Sequence, residues 1–66
     1  MQIFINGDSK TVDQGCTIAW LLDLLNVGRE RVAVEVNMEI VPKIAYDSHV
    51  LTDGDKIEIV HFVGGG

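Results

Sequence analysis

The sequence predicts an α+β domain in which a mixed sheet of four to five strands carries one main helix packed on one face. Three observations predict it. Apolar residues recur at helical spacing in one segment, TIAWLLDLLN from Thr17 to Asn26. Short runs of β-favouring residues lie on both sides of that segment, two before it and three after. Turn-forming clusters built on glycine, asparagine and aspartate separate the runs within each half.

Met1 to Asn6 (MQIFIN) reads as the first strand, and Asn6-Gly7 is a dipeptide that tight hairpins prefer because both residues tolerate positive φ. Ser9 to Val12 is the returning strand. Asp13-Gln14-Gly15 breaks the pattern, and Thr17 is the expected N-cap of the helix. Ile18, Leu21, Leu22 and Leu25 follow the i, i+3, i+4, i+7 spacing and should form its buried stripe. Trp20 falls almost opposite the centre of that stripe and should be at least partly exposed, either folded over neighbouring surface or offered as a contact. Asn26-Val27-Gly28 ends the helix, with Gly28 expected to take a left-handed cap.

Val32 to Val36 (VAVEV) is a third strand, Asn37-Met38-Glu39 a turn, and Ile40-Val41 a short fourth strand closed by Pro42, which cannot donate to a ladder. Lys43 to Thr52 has no clean period and reads as a connection. Asp53-Gly54-Asp55 is a turn, and Lys56 to Val63 (KIEIVHFV) is the last strand. First and last strands are expected side by side in the middle of the sheet.

Sixty-six residues of which nearly half are hydrophobic can build one small core. Residues 1–63 are expected to form a single domain and residues 64–66 a flexible glycine tail. No apolar run approaches the roughly 20 residues that span a bilayer, and no leader pattern opens the chain, so a soluble, cytoplasmic protein is expected. The formal charge of −5 opposes nucleic acid and anionic membranes as partners. The single cysteine, Cys16, excludes an intrachain disulfide and reads as a structural or exposed thiol. His49 and His61 lack the clustered partners that a metal or catalytic site needs, so no metal and no cofactor bound by the chain itself is expected.

Side chains alternate along strands, which puts Ile3 and Ile5 on the helix-covered face and Phe4 on the other. In the last strand Ile57 and Ile59 point to the core and Lys56 and Glu58 to solvent. Continuing the phase sends Val60 and Phe62 outward and His61 and Val63 inward. The outer face thus turns apolar where the chain approaches its glycines. With the first and last strands adjacent, Phe4, Val60 and Phe62 are the expected partner-docking patch, the alternative being a bulge that buries Phe62.

Gly64, Gly65 and Gly66 admit two readings. One is a frayed end. The other is a lead that threads a terminal carboxylate into a channel too narrow for side chains. Extended from Phe62, the lead would reach on the order of 15 Å. A free carboxylate resists attack, so a partner would first have to activate it, for example as an adenylate formed with a magnesium-bound nucleotide.

VEVNMEIVPK (Val34 to Lys43), LTDGDKIEIVHFV (Leu51 to Val63) and the Gly64-Gly65-Gly66 end carry a resemblance over essentially the whole chain. The sequence resembles the thiamine-biosynthesis sulfur carriers, the ThiS family, of the β-grasp, ubiquitin-like fold. The molybdopterin-synthase small subunit is a more distant likeness. Trp20 stands where relatives commonly have a polar residue, and Tyr46 where an aromatic, often tryptophan, is usual and would pack over the sheet edge.

The resemblance implies that Gly66 is adenylated by an E1-like activating enzyme (ThiF type) that uses ATP and Mg. Sulfur from a cysteine-derived persulfide source then makes a thiocarboxylate, which serves thiazole synthase (ThiG type). Donation to molybdopterin, to a cysteine pathway or to tRNA uses the same tail chemistry. A non-covalent ubiquitin-like binding module is the alternative of a different class. No nucleophile, base or metal constellation suggests an enzyme, so no residue is expected to be catalytic.

Overall fold

The computed structural model describes residues 1–62; the expectations for Val63 and for the tail, Gly64 to Gly66, lie outside the described residues. Five strands and one α-helix form in the order β1 (Gln2–Ile5), β2 (Asp8–Thr11), α1 (Ile18–Leu24), β3 (Val32–Val36), β4 (Glu39–Val41) and β5 (Lys56–His61). The strands make one sheet in the order β2-β1-β5-β3-β4. β1 and β5 run parallel beside each other, and the other neighbours are antiparallel.

Both hairpins are two-residue turns, since Ile5 pairs with Asp8 and Val36 with Glu39. Asn6 and Gly7 have φ of 49° and 89°, and Asn37 and Met38 have 52° and 72°, the left-handed pattern whose twist matches the flanking strands. Each asparagine side chain also reaches β5. Asn6 accepts from the Ile59 N–H at 2.8 Å and donates to the Ile59 carbonyl at 3.2 Å. Asn37 accepts from the Lys56 N–H at 3.0 Å and donates to the Asp55 carboxylate at 2.9 Å.

The α1 stripe is buried as its spacing predicts, with Ile18, Leu21 and Leu22 in the core and Leu25 packed against it. Thr17 caps the helix by accepting the Trp20 N–H at 3.1 Å. Two more first-turn amides find partners in the segment after β4: Ile18 donates to the His49 carbonyl and Ala19 to that of Tyr46. These bonds satisfy donors that a helix start leaves without an intrahelical acceptor. The Lys43 to Thr52 connection is therefore ordered, with a 3-10 turn at Lys43–Ala45. It drives Tyr46 into the core at 1% exposure, where the sequence had suggested packing over the sheet edge.

Gly28 is not the left-handed cap. Its φ is −73°, and it opens a short 3-10 helix, Arg29–Arg31. Asn26, at φ 58°, takes the cap, and the Val27 N–H closes back on the Leu22 carbonyl at 2.9 Å. Asparagine serves because it is the residue after glycine that best tolerates this conformation. The returning strand β2 likewise begins one residue earlier than expected and ends before Val12, which turns into the core.

Among the described residues no helix lies over the opposite, outer face of the sheet. Val32, Val34 and Val36 are buried beneath α1 while Ala33 and Glu35 between them are half-buried and face outward. Among the described residues, no helix is long and apolar enough to cross a membrane.

Candidate functional site

β5 is the strand that leads toward the glycines, and its alternation of buried and exposed residues runs from Lys56 to Val60. Ile57 and Ile59 are buried, whereas Val60 is 54% and Phe62 57% exposed. The phase therefore holds with no bulge, and Phe62 stays outside the core. His61 pairs with Val32 and so shares the helix-side phase, yet it is exposed, contrary to the expected burial. Phase alone does not bury a side chain: α1 does not cover the strand that far.

Strand register decides what surrounds Val60 and Phe62. β1 is parallel to β5 with Phe4 opposite Lys56, so Phe4 sits four residues before Val60 along β5, roughly 13 Å at the usual rise per residue. Glu58 and the Asn6 latch lie in between. Phe4 is half-buried and lines a separate groove of about 280 Å³ with Gly7, Lys56 and Glu58. The expected contiguous patch of Phe4, Val60 and Phe62 is thus divided in two by the β1–β5 register.

On its other side, Val60 has a closer apolar neighbour. Ala33 pairs directly with Val60, and Glu35 joins Ile40 of β4 to Glu58 of β5. Ile40 is 75% exposed. On this face Ile40 lies diagonal to half-buried Ala33, which leads to exposed Val60 and Phe62, while Glu35 and Glu58 continue the row that Ile40 begins. Ile40 and Ala33 were missed in the sequence because neither run shows which strand it pairs with.

Beyond His61 the ladder stops, and Phe62 is held by a junction. Its N–H donates to the Arg31 carbonyl at 2.9 Å. The Lys43 ammonium lies 5.3 Å from the centre of its ring, a cation–π distance. Lys43 also donates to the neighbouring Glu30 carbonyl at 3.4 Å. Arg29 is engaged elsewhere by a two-point pair with Asp47 at 2.8 and 3.0 Å.

The remaining polar and reactive candidates have structural surroundings. Cys16 is buried, and burial pushes its thiol up, away from the thiolate that a nucleophile needs. Among the described residues Asp55 is the buried carboxylate. Desolvation pushes it up, but bonds from the Thr52 N–H, the Asn37 amide and the Thr52 hydroxyl, with the charge of His49, outweigh this and hold it below the usual carboxylate range. Trp20 is half-buried against the core. Among the described residues no group of three or more His, Cys, Asp or Glu could hold a metal ion.

A five-stranded mixed sheet with parallel β1 and β5 at its middle, two flanking hairpins and one covering helix defines the β-grasp, ubiquitin-like class. The solved neighbours agree: the crystal structure of a thiamine biosynthesis protein (ThiS) from Geobacter metallireducens superposes with a TM-score of 0.85 at 38% identity, over 100% of both chains. The ThiS family profile matches residues 3–66, and this chain belongs to the ThiS family. The sulfur carrier protein ThiS of Bacillus subtilis (strain 168) is 46% identical over 63 residues, covering 94% of this chain and 96% of that one. A thiazole synthase of Paramagnetospirillum magneticum is 47% identical over 66 residues. All of this chain is matched there, but it spans only 20% of that relative's length.

Proposed function

We propose that this chain is a sulfur carrier of thiamine biosynthesis whose Gly66 carboxylate is the group that partners act on. The observation that carries the reading is the family match over residues 3–66, which includes the glycine end together with the folded body. In this reading the chain is a protein substrate, and the chemistry belongs to its partners.

An E1-like enzyme of the ThiF type, using ATP and magnesium, adenylates Gly66. A carboxylate oxygen of Gly66 attacks the α-phosphorus of ATP and expels pyrophosphate. The terminal sulfur of a cysteine-derived persulfide then attacks the acyl carbon and expels AMP. A second thiol cleaves the resulting acyl disulfide, freeing the thiocarboxylate and leaving a disulfide on the sulfur source. Gly64 and Gly65, without side chains, suit passage through a narrow channel. The strip of Ile40, Ala33, Val60 and Phe62 is the docking surface, and Phe4 is no part of it because register sets it apart.

Thiazole synthase of the ThiG type is the proposed acceptor. Support comes from the relative named thiazole synthase, which contains a stretch matching this entire chain. That observation favours thiazole over molybdopterin, cysteine or tRNA as the destination of the sulfur.

Intact mass spectrometry of the chain co-expressed with activating enzyme from the same source tests the proposal. A fraction with one terminal oxygen replaced by sulfur is expected, and deletion of Gly65-Gly66 should abolish it. A full-length chain that no such enzyme adenylates or thiolates overturns the carrier reading. Phe62→Ala should weaken docking by about five- to thirty-fold, as loss of an interface aromatic does, without unfolding the chain.

A further inference from the structure

Lys43 closes the Val34 to Lys43 segment, yet it is exposed, belongs to no strand and makes no ion pair among the described residues. Its ammonium instead lies over Phe62, two positions before the first glycine of the tail. The chain is acidic overall with only five basic residues, which makes a cation parked on an aromatic ring at this point a specific placement.

The β3–β5 ladder ends at the Val32–His61 pair, and among the described residues the bond to the Arg31 carbonyl is the backbone anchor of Phe62. One hydrogen bond leaves a residue free to swivel about it. A cation over the ring adds a second point of fixation, and the Lys43 ammonium is itself held by the Glu30 carbonyl. Two successive carbonyls of the Arg29–Arg31 turn region thus secure Phe62, one directly and one through Lys43.

We propose that Lys43 is a positioning residue for the tail: by holding the Phe62 ring against the body it sets the direction in which the residues after 62 leave. The functional consequence rests on the carrier reading above. A carboxylate must arrive in line with a channel, and a tail that starts from a fixed root searches fewer directions, so less conformational entropy opposes productive docking.

The test uses Lys43→Gln, which removes the charge and keeps most of the stem, and Lys43→Arg, which restores a cation, each alone and combined with Phe62→Leu. Two readouts are taken: the backbone order of Phe62 from nitrogen-15 relaxation, and KM and kcat for the carrier in ATP–pyrophosphate exchange with its activating enzyme. Lys43→Gln should lower the order of Phe62 and raise KM about two- to five-fold, the size of an exposed cation–π contact, with kcat unchanged. Lys43→Arg should restore both, and with Phe62→Leu present Lys43→Gln should add nothing.

Unchanged Phe62 order or unchanged KM in Lys43→Gln overturns the positioning role. So does an equal rise in KM in both backgrounds, which would mean that Lys43 meets the partner directly. If the unaltered chain is not adenylated at all, the carrier reading fails whatever Lys43 does. The order of Phe62 then decides by itself whether Lys43 holds the root of the tail.

Discussion

The two hairpin turns of this protein solve one problem with different residues. Asn6-Gly7 and Asn37-Met38 have nearly the same backbone, and in both the asparagine side chain grips β5, from the β1 side at Ile59 and from the β3 side at Lys56. Each asparagine acts as an additional strand residue where its own strand has turned away. The second position separates them: glycine adopts positive φ freely, whereas Met38 holds φ 72° with its side chain 91% exposed. The latches differ too, because the Asn6 latch is neutral and the Asn37 latch leads to the buried carboxylate of Asp55. Turn geometry can therefore be matched while strain and charge are distributed unequally.

The largest effect is expected from the charged latch. Asp55→Ala removes the acceptor for the Thr52 N–H, the Thr52 hydroxyl and the Asn37 amide at once, and should cost about 3 kcal/mol in urea unfolding. The pH dependence follows in sign. Asp55 is held below its unfolded value, so its contribution is fully present above the ordinary carboxylate range near pH ~4 and fades as pH falls through the lower folded value. A urea midpoint measured across acid pH should lose this component in Asp55→Ala and keep it in Asn6→Ala. An acid response identical in the two variants would show that the charged latch is not distinct.

Asn6→Ala comes next, at about 2 kcal/mol, since it deletes both bonds to Ile59 and leaves a β-carbon at φ 49°. Smaller still is Gly7→Ala. An added Cβ there meets nothing within 4 Å, so the cost is conformational alone, about 1 kcal/mol from φ 89°. The smallest effect has the opposite sign: Met38→Gly should stabilise by about 0.5 kcal/mol, because relief of the left-handed conformation exceeds the entropy that glycine adds to the unfolded chain. Both are read from the urea midpoint at constant slope. A destabilised Met38→Gly would mean that the exposed methionine side chain holds the turn.

Much of the fold was legible because it is written locally. The α1 stripe, the Thr17 cap, the Asn6-Gly7 turn and the alternation of Ile57, Ile59, Val60 and Phe62 each depend on residues within a few positions of one another. Three features were not legible for the converse reason. Tyr46 lies in a stretch without a period and is buried because its segment satisfies the first amides of α1, a fact about the helix. Asn26 rather than Gly28 took the left-handed cap, as the helix ended two residues earlier than the nearest glycine suggested. Asp55 looked like one acid of a solvent turn until Asn37, 18 positions earlier, closed over it.

The candidate site divides in the same way. Outward Val60 and Phe62 followed from phase, and the glycine end followed from composition and the family resemblance. Their neighbours did not follow, because Phe4 depends on the parallel β1–β5 register, Ile40 and Ala33 on the antiparallel β3 pairings, and Lys43 on a turn without a repeat.

By itself, then, the sequence determined the kinds of element, their order and which side chains of each strand share a face, since period and turn chemistry act over a few residues. Only the tertiary structure decided which of those faces meet. Register relates segments that lie up to about fifty positions apart, and here it is set by β5 accepting two hairpins whose asparagines lock onto it at Ile59 and at Lys56. That choice separated Phe4 from the docking strip, joined Ile40 to it and brought Lys43 over Phe62 at the root of the tail.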